Sequence, residues 1–217
     1  MPVYIPREFE VTDLALLHDL IERFSFAMLV TTRDGRPVAT PLPFLVQREA
    51  GEHGTLVGHM ARANRQWQDF GGAGEALVIF QGEHGYVSPS WYEAHPSVPT
   101  WNYLAVHAYG FPHVIEDTER IRAILRTLVA KNEAGFDEPW PMDLPDDYLR
   151  KMIGGIVVFE IPLTRLEGKF KLSQNRPVAD RRRVIATLAA SAEPTQRALA
   201  AAMQAALDRD GSWSDGA

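Results

Sequence analysis

Hydrophobic and polar positions follow two periods along this 217-residue chain. In residues 13–24, Leu14, Leu17, Ile21 and Phe24 recur at helical spacing, with Asp19, Glu22 and Arg23 off the stripe, which predicts an amphipathic helix packed on something. Phe26 to Thr32 is β-rich, Arg33-Asp-Gly-Arg36 is a tight-turn signal, and residues 37–46 run back as an extended segment, so this stretch reads as a hairpin. Pro37, Pro41 and Pro43 cannot donate to a ladder, so one side of the second strand should be an edge or face a ligand. A short strand is expected at 55–59 and a helical turn at 64–70. Residues 76–80, 85–88 and 100–109 read as three strands separated by Gly and Pro.

The second amphipathic helix, 118–133, carries Ile121, Leu125, Leu128 and Val129, and a short third helix is expected at 145–152. Residues 156–161 and 166–172 return to strand. Two Ala-rich helices follow at 177–190 and 194–207, each opened by a proline, and 210–217 reads as a loose tail. Gly71 to Gly74 follows a helix and precedes a strand, the wrong context for a dinucleotide fingerprint, so it reads as a loop. The whole describes an α+β, mainly β domain, a six-stranded β-barrel with peripheral helices and a helical C-terminal segment. The expected organisation is a barrel domain over 1–176, a helical segment packed on or extending it over 177–209, and a flexible tail over 210–217.

Composition is that of an ordinary globular protein, with 46% hydrophobic and 23% charged residues. The absence of cysteine removes disulfides, thiolate metal sites and thiol catalysis. The amino-terminal residues lack a basic stretch followed by an apolar one, and no apolar run approaches bilayer length, so neither export nor membrane insertion is expected. A cytoplasmic location follows as an expectation. The net charge of −6 argues against broad nucleic-acid binding. That charge is uneven: residues 165–209 hold nine Lys and Arg against four Asp and Glu, a local +5 that leaves −11 for the remainder.

Four groups of residues could carry chemistry. His59-Met60-Ala61-Arg62-Ala63-Asn64 lies where a strand gives way to a helical turn, which suits a phosphate but also suits simple capping. Tyr86 to Tyr92 and Pro99 to Tyr103 place Trp91 and Trp101 in aromatic clusters that could line a flat ligand or fill a core or dimer interface. The seven histidines show no metal-ligand spacing, which argues against a metal site, although one histidine suffices for haem. Gly168 to Arg176, leading into Asp180-Arg-Arg-Arg183, offers an anion or nucleic-acid contact, or a solvated basic helix start.

Taken together, His59 to Asn64, His84-Gly-Tyr-Val-Ser-Pro-Ser-Trp-Tyr92, Val98-Pro-Thr-Trp-Asn-Tyr103 and Lys169-Phe-Lys-Leu-Ser-Gln-Asn175 resemble the PaiB-like negative transcriptional regulators, over Tyr4 to about Leu207. That family has an FMN-binding split-barrel fold. The resemblance implies a homodimeric regulator that holds FMN, or a related flat phosphate-bearing ligand, in a cleft between subunits. It places the cleft at Thr40, Pro41, Leu42 and Pro43, at His59, Met60, Ala61, Arg62 and Asn64, and at Trp91 and Trp101. In the wider group of split barrels a Ser-Arg-Lys segment holds the FMN phosphate. Here that segment falls on Ala61-Arg62-Ala63 and only the arginine survives, while the preceding strand, Thr40 to Phe44, lacks the group's Arg and Lys. A flavin- or haem-dependent oxidoreductase of the same superfamily and a cofactor-free dimeric scaffold are the other readings. Any DNA contact would use the basic segment 165–209, where two helices joined by a short turn could mimic a helix-turn-helix.

Overall fold

The computed structural model describes residues 3–72 and 74–211, with side chains through 209. Among the described residues, eight strands and five α-helices follow one another as β1 (Glu10–Val11), α1 (Leu14–Arg23), β2 (Phe26–Arg33), β3 (Arg36–Gln47), β4 (Thr55–Ala61), β5 (Ala76–Val87), β6 (Thr100–Gly110), β7 (His113–Val114), α2 (Thr118–Glu133), α3 (Asp146–Gly154), β8 (Ile156–Lys171), α4 (Val178–Ala189) and α5 (Pro194–Gly211). The hydrogen-bonded strand order is β1-β8-β4-β3-β2-β5-β6, β7 joins β8, and β8 also pairs with β6, so the connectivity returns on itself. Six strands are long, as the sequence pattern predicts; β1 and β7 are two-residue additions too short to leave a pattern.

Two expectations need correction. Residues 76–88 and 156–172 do not hold two strands each: each is one long strand. The glycines and proline read as breaks are accommodated within the strands. A Cβ on Gly85 would come within 2.9 Å of Leu199 Cδ2 on α5, so glycine there permits a close approach and does not end the strand. Leu163 N–H donates to Gly54 O, so by alternation the nitrogen of Pro162 faces away from β4 and costs that ladder no donor. α5 also runs beyond the expected 207 to Gly211, and the rest of the expected tail, 212–217, lies outside the described residues, as does Ala73 of the glycine loop.

The chain divides into two compact units, each assembled from segments distant in sequence. The unit of 18–80 and 107–166 has an aromatic centre in which Phe44 meets Phe80 and Phe159 edge-on at 6.0 and 6.2 Å, and Phe70 meets Phe159 at 4.9 Å. Gly58 lies between the Phe44 and Phe159 rings, at 3.1 and 3.2 Å from where its Cβ would stand. α2 lays Ile121 and Ile124 on Leu45, Val57 and Val158. The hairpin turns at Asp34 and Gly35, both at positive φ, the geometry of a two-residue hairpin turn. The unit of 1–17, 81–106 and 167–217 joins β1 to the end of β8 through Glu10↔Lys169 and packs α4 on α5.

Alternation along β3 explains its prolines. Phe44 N–H donates to Ser25 O on the β2 side, so the nitrogens of Pro37, Pro41 and Pro43 face the opposite side. The ladder to β4 covers only Phe44–Gln47, leaving residues 37–43 an open edge on that side. This is the edge expected from the sequence.

Gly110 sets the tightest test of packing. A Cβ there would sit 2.3 Å from Pro162 O and 2.8 Å from Ile161 Cγ2, and backbone cannot yield cheaply. Gly110→Ala is therefore expected to destabilise the chain by about 1–3 kcal/mol. The effect would be read as a lower urea midpoint with an unchanged slope; an unmoved midpoint would contradict this packing.

Candidate functional site

The strand-to-turn junction after β4 is built from its buried end upward. Gln66 is 1% exposed, and its Nε2 donates to Leu29 O at 3.3 Å, Val38 O at 3.0 Å and Thr31 Oγ1 at 3.1 Å. One side chain thereby fastens the 3₁₀ turn Arg65–Asp69 beneath both strands of the β2–β3 hairpin. Asp69 adds two bonds, accepting from Thr31 Oγ1 at 3.1 Å and Arg33 Nε at 2.7 Å, while Arg33 Nη2 donates to Arg65 O. Gln66 was not singled out in the sequence, because a lone glutamine beside a capping asparagine reads as solvated.

Asn64 caps this turn: its Oδ1 accepts from Gln66 N–H at 3.1 Å, and its Nδ2 donates to Thr40 Oγ1 at 3.1 Å. Thr40 and Asn64, expected at one site, are thus in direct contact. Arg62 leaves the end of β4 with its guanidinium against the α3–β8 junction, Nε donating to Gly154 O at 2.9 Å and Nη2 to Ile156 O at 2.7 Å. Among the described residues its other N–H groups meet no acceptor, and neither Arg62 nor the exposed Arg65 has a carboxylate partner. Two cations three residues apart and without counter-charge suit a phosphate.

Pro41 and Ala61 are exposed and Pro43 and His59 half-buried, whereas Leu42 and Met60 face the core and could shape a site only from beneath. Trp91 and Trp101 belong to the other compact unit. Trp101 is 55% exposed and meets Tyr86 edge-on at 6.0 Å and His84 at 6.4 Å, an open aromatic platform between β5 and β6. Trp91 is half-buried in the 3₁₀ turn Pro89–Trp91, which Ser88 caps.

One face of the sheet in the unit of 18–80 and 107–166 is apolar and uncovered. Phe26 and Met28 are 69% and 38% exposed, and by register they share this face with Val30, Pro41, Pro43 and Ile79. By contrast, a cavity of about 480 Å³ between α2 and strands β3 and β4 has most of its charges internally paired, Arg120 with Glu160 and Glu22 with Arg48.

Nine cations gave the segment 165–209 its charge, and the structure ties most of them down. Arg181 is buried, Arg183 pairs with Glu93 at 2.9 Å, and Arg197 donates to the carbonyls of Ser191 and Ala192 just after α4. Arg176 stacks on Tyr92 with 4.5 Å between guanidinium carbon and ring centroid, and Lys171 donates to Trp101 O at 2.8 Å.

Burial holds the His59 imidazole below its ordinary pKa. The folded chain then binds this proton less readily than the unfolded chain, so acidification favours unfolding. The penalty begins as pH falls through the ordinary value of about 6.5 and stops growing below the depressed folded-state value. His59→Gln is expected to flatten that part of the stability profile, measured as urea midpoints between about pH 7.5 and 5; a slope identical to that of the unaltered chain would exclude the effect.

Comparison with known proteins shows what the chain and its fold resemble. A family model described as "Putative FMN-binding domain" matches residues 3–165. The chain is 36% identical over 208 residues to Protease synthase and sporulation protein PAI 2 of Bacillus subtilis, covering 95% of this chain and 99% of that protein. Its fold is similar to the FAD and heme binding protein from Mycobacterium smegmatis (TM-score 0.57, 19% identity, 75% of this chain and 73% of that one). It is also similar to the flavocytochrome Anf3 from Azotobacter vinelandii (TM-score 0.59, 16% identity, 77% and 72%). The mainly β fold expected from the sequence is the fold these proteins share.

Proposed function

The chain belongs to the FMN-binding domain family, and on that premise we propose that it is a homodimeric regulator of the PaiB type that binds FMN or a related flat phosphate-bearing ligand. The observation that carries this reading is the pair Arg62 and Arg65, free of carboxylate partners, beside an Asn64 that is bonded to Thr40 on the open-edged β3. The donor set fits the group: a phosphate monoester carries about −1.5 to −2 at neutral pH and takes charge-assisted hydrogen bonds from guanidinium. FMN, when bound, supplies electron-transfer chemistry that no side chain here can supply.

The chain's own residues would bind and orient. Arg62 is held by two backbone carbonyls, so its remaining donors are pre-positioned and lose little freedom on binding. Asn64 and Gln66 keep the turn in place beneath the hairpin. The proline-studded edge of β3 offers carbonyls and, between Pro37 and Pro41, the single outward N–H of Ala39, a narrow choice for the polar rim of a flat ring.

We assign the second copy of the chain to the uncovered face around Phe26 and Met28, whose residues are apolar without a charged member. A cytoplasmic location accords with cysteine-free composition. No helix among the described residues is long and apolar enough to cross a membrane. Action through the ligand or a protein partner is favoured over direct DNA contact by 165–209, whose arginines are largely engaged within the chain.

FMN titration followed by quenching of flavin fluorescence tests the ligand. Arg62→Ala is expected to weaken binding about tenfold or more, the value of one lost charge-assisted hydrogen bond. No quenching by the unaltered chain, or equal affinity for the variant, would remove the assignment. Phe26→Asp is expected to convert a dimer to a monomer in sedimentation equilibrium without loss of the folded state. A dimer of undiminished strength would place the interface elsewhere.

A further inference from the structure

A second cavity, in the unit of 1–17, 81–106 and 167–217, has the features of a built anion site. Tyr92, the segment Val98–Asn102, Lys171 and the loop Ser173–Arg176 enclose about 190 Å³. Its floor is a closed pair of side chains: Asn102 is fully buried and donates through Nδ2 to Ser173 Oγ at 2.9 Å, and Ser173 is 3% exposed at a positive φ of 65°. Gln174 fixes the loop from both ends, its Oε1 accepting from Leu172 N–H and its Nε2 donating to Phe170 O.

Over this floor the charge is of one sign. Lys171 Nζ donates to Thr100 Oγ1 and to Trp101 O, and Arg176 Nη1 donates to Ser97 Oγ at 3.3 Å while its plane covers the Tyr92 ring. No carboxylate lines the cavity, and the charged groups acting on Lys171 are Lys169 and Arg176. Burial and these two cations hold its ammonium below the usual lysine range. Among the described residues neither Lys171 nor Arg176 has a carboxylate partner, so two half-buried cations face one cavity without a counter-ion.

We propose that this cavity binds a small oxyanion, a carboxylate or a phosphate group, through Lys171 and Arg176. The volume lies below the range of about 300–1,000 Å³ usual for larger ligands, so the occupant has few heavy atoms. The site draws together three sequence motifs, Ser88 to Tyr92, Val98 to Tyr103 and Lys169 to Asn175, that the FMN assignment leaves without a task beyond Trp91 and Trp101. It is independent of Arg62 and of flavin.

The test titrates inorganic phosphate and, separately, malonate into the full chain at constant ionic strength, following tryptophan fluorescence and the melting temperature. Saturable binding of either probe is expected; saturation by phosphate alone or malonate alone names the source of the oxyanion. Lys171→Met should weaken it about tenfold, and Lys171→Arg should restore most of it. Arg176→Gln removes the second cation at a partly exposed position, so it should keep the fold and still lose affinity several-fold, which keeps the test decisive if Lys171→Met fails to fold. Arg62→Ala should leave this binding unchanged. Absence of saturation by both probes, or unaltered affinity in Arg176→Gln, overturns the proposal.

Discussion

The buried amide of Gln66 is the contact on which the β4 junction depends. Hydrogen bonds are individually modest, but a buried amide that loses its acceptors incurs the full desolvation cost, about 1–3 kcal/mol for each group left unpaired. Gln66 Nε2 lies within hydrogen-bond distance of Leu29 O, Val38 O and Thr31 Oγ1, acceptors that its two N–H groups share, so the turn that follows β4 cannot shift without stranding that buried amide. Asn64 inherits its position from that anchorage, since it caps the same turn, and Thr40 is reached as a consequence. Arg62 is fixed from the other direction, by the carbonyls of Gly154 and Ile156. The end of β4 is thus tied on one side through Arg62 and on the other through the turn.

Strand alternation does comparable work at the edge of β3. Three prolines would be destructive in a strand paired on both sides, yet all three stand at positions of one parity and surrender only outward-facing donors. The open edge is thereby protected from pairing with another strand while its carbonyls remain available. The same parity puts Pro41 and Pro43 on the uncovered apolar face with Phe26 and Met28. One local sequence pattern thus shapes two surfaces.

Much of this was legible in the sequence wherever a signal is local. The period-2 alternation of 26–32, the Asp34-Gly35 turn and the odd-numbered prolines are each readable within a few residues, and α2 spans the expected 118–133. The errors arise where a residue answers to something distant in the chain. The break expected at 81–84 is absent because β5 continues through Gly85, where Leu199 approaches closely, and the break expected at 162–165 is absent because Pro162 turns its nitrogen away from β4. Gln66 carries no local mark, because its surroundings come from the β2–β3 hairpin, and the motif that contains Tyr92 does not disclose that Arg176 stacks on it. The basic segment misleads for a related reason: charge counting registers nine cations but not that Arg181 is buried or that Arg197 serves carbonyls.

Unpaired cations differ in what they cost. In a chain with an excess of carboxylates, Arg48 finds Asp19 and Glu22 and Arg33 finds Asp69, so partners are not scarce. Exposed ion pairs contribute only about 0–1 kcal/mol, and leaving exposed Arg62 and Arg65 without carboxylates therefore costs the fold little. Lys171 is another matter. It is half-buried, faces Arg176 and Lys169, and its remaining stabilisation comes from neutral oxygens, so both desolvation and like-charge repulsion count against it. A local arrangement that is unfavourable in the chain alone is made favourable by an anion arriving from outside, and the less water screens the cation the larger that change is. By this measure the more deeply buried cluster, at Lys171 and Arg176, is the one whose lack of a counter-ion says more.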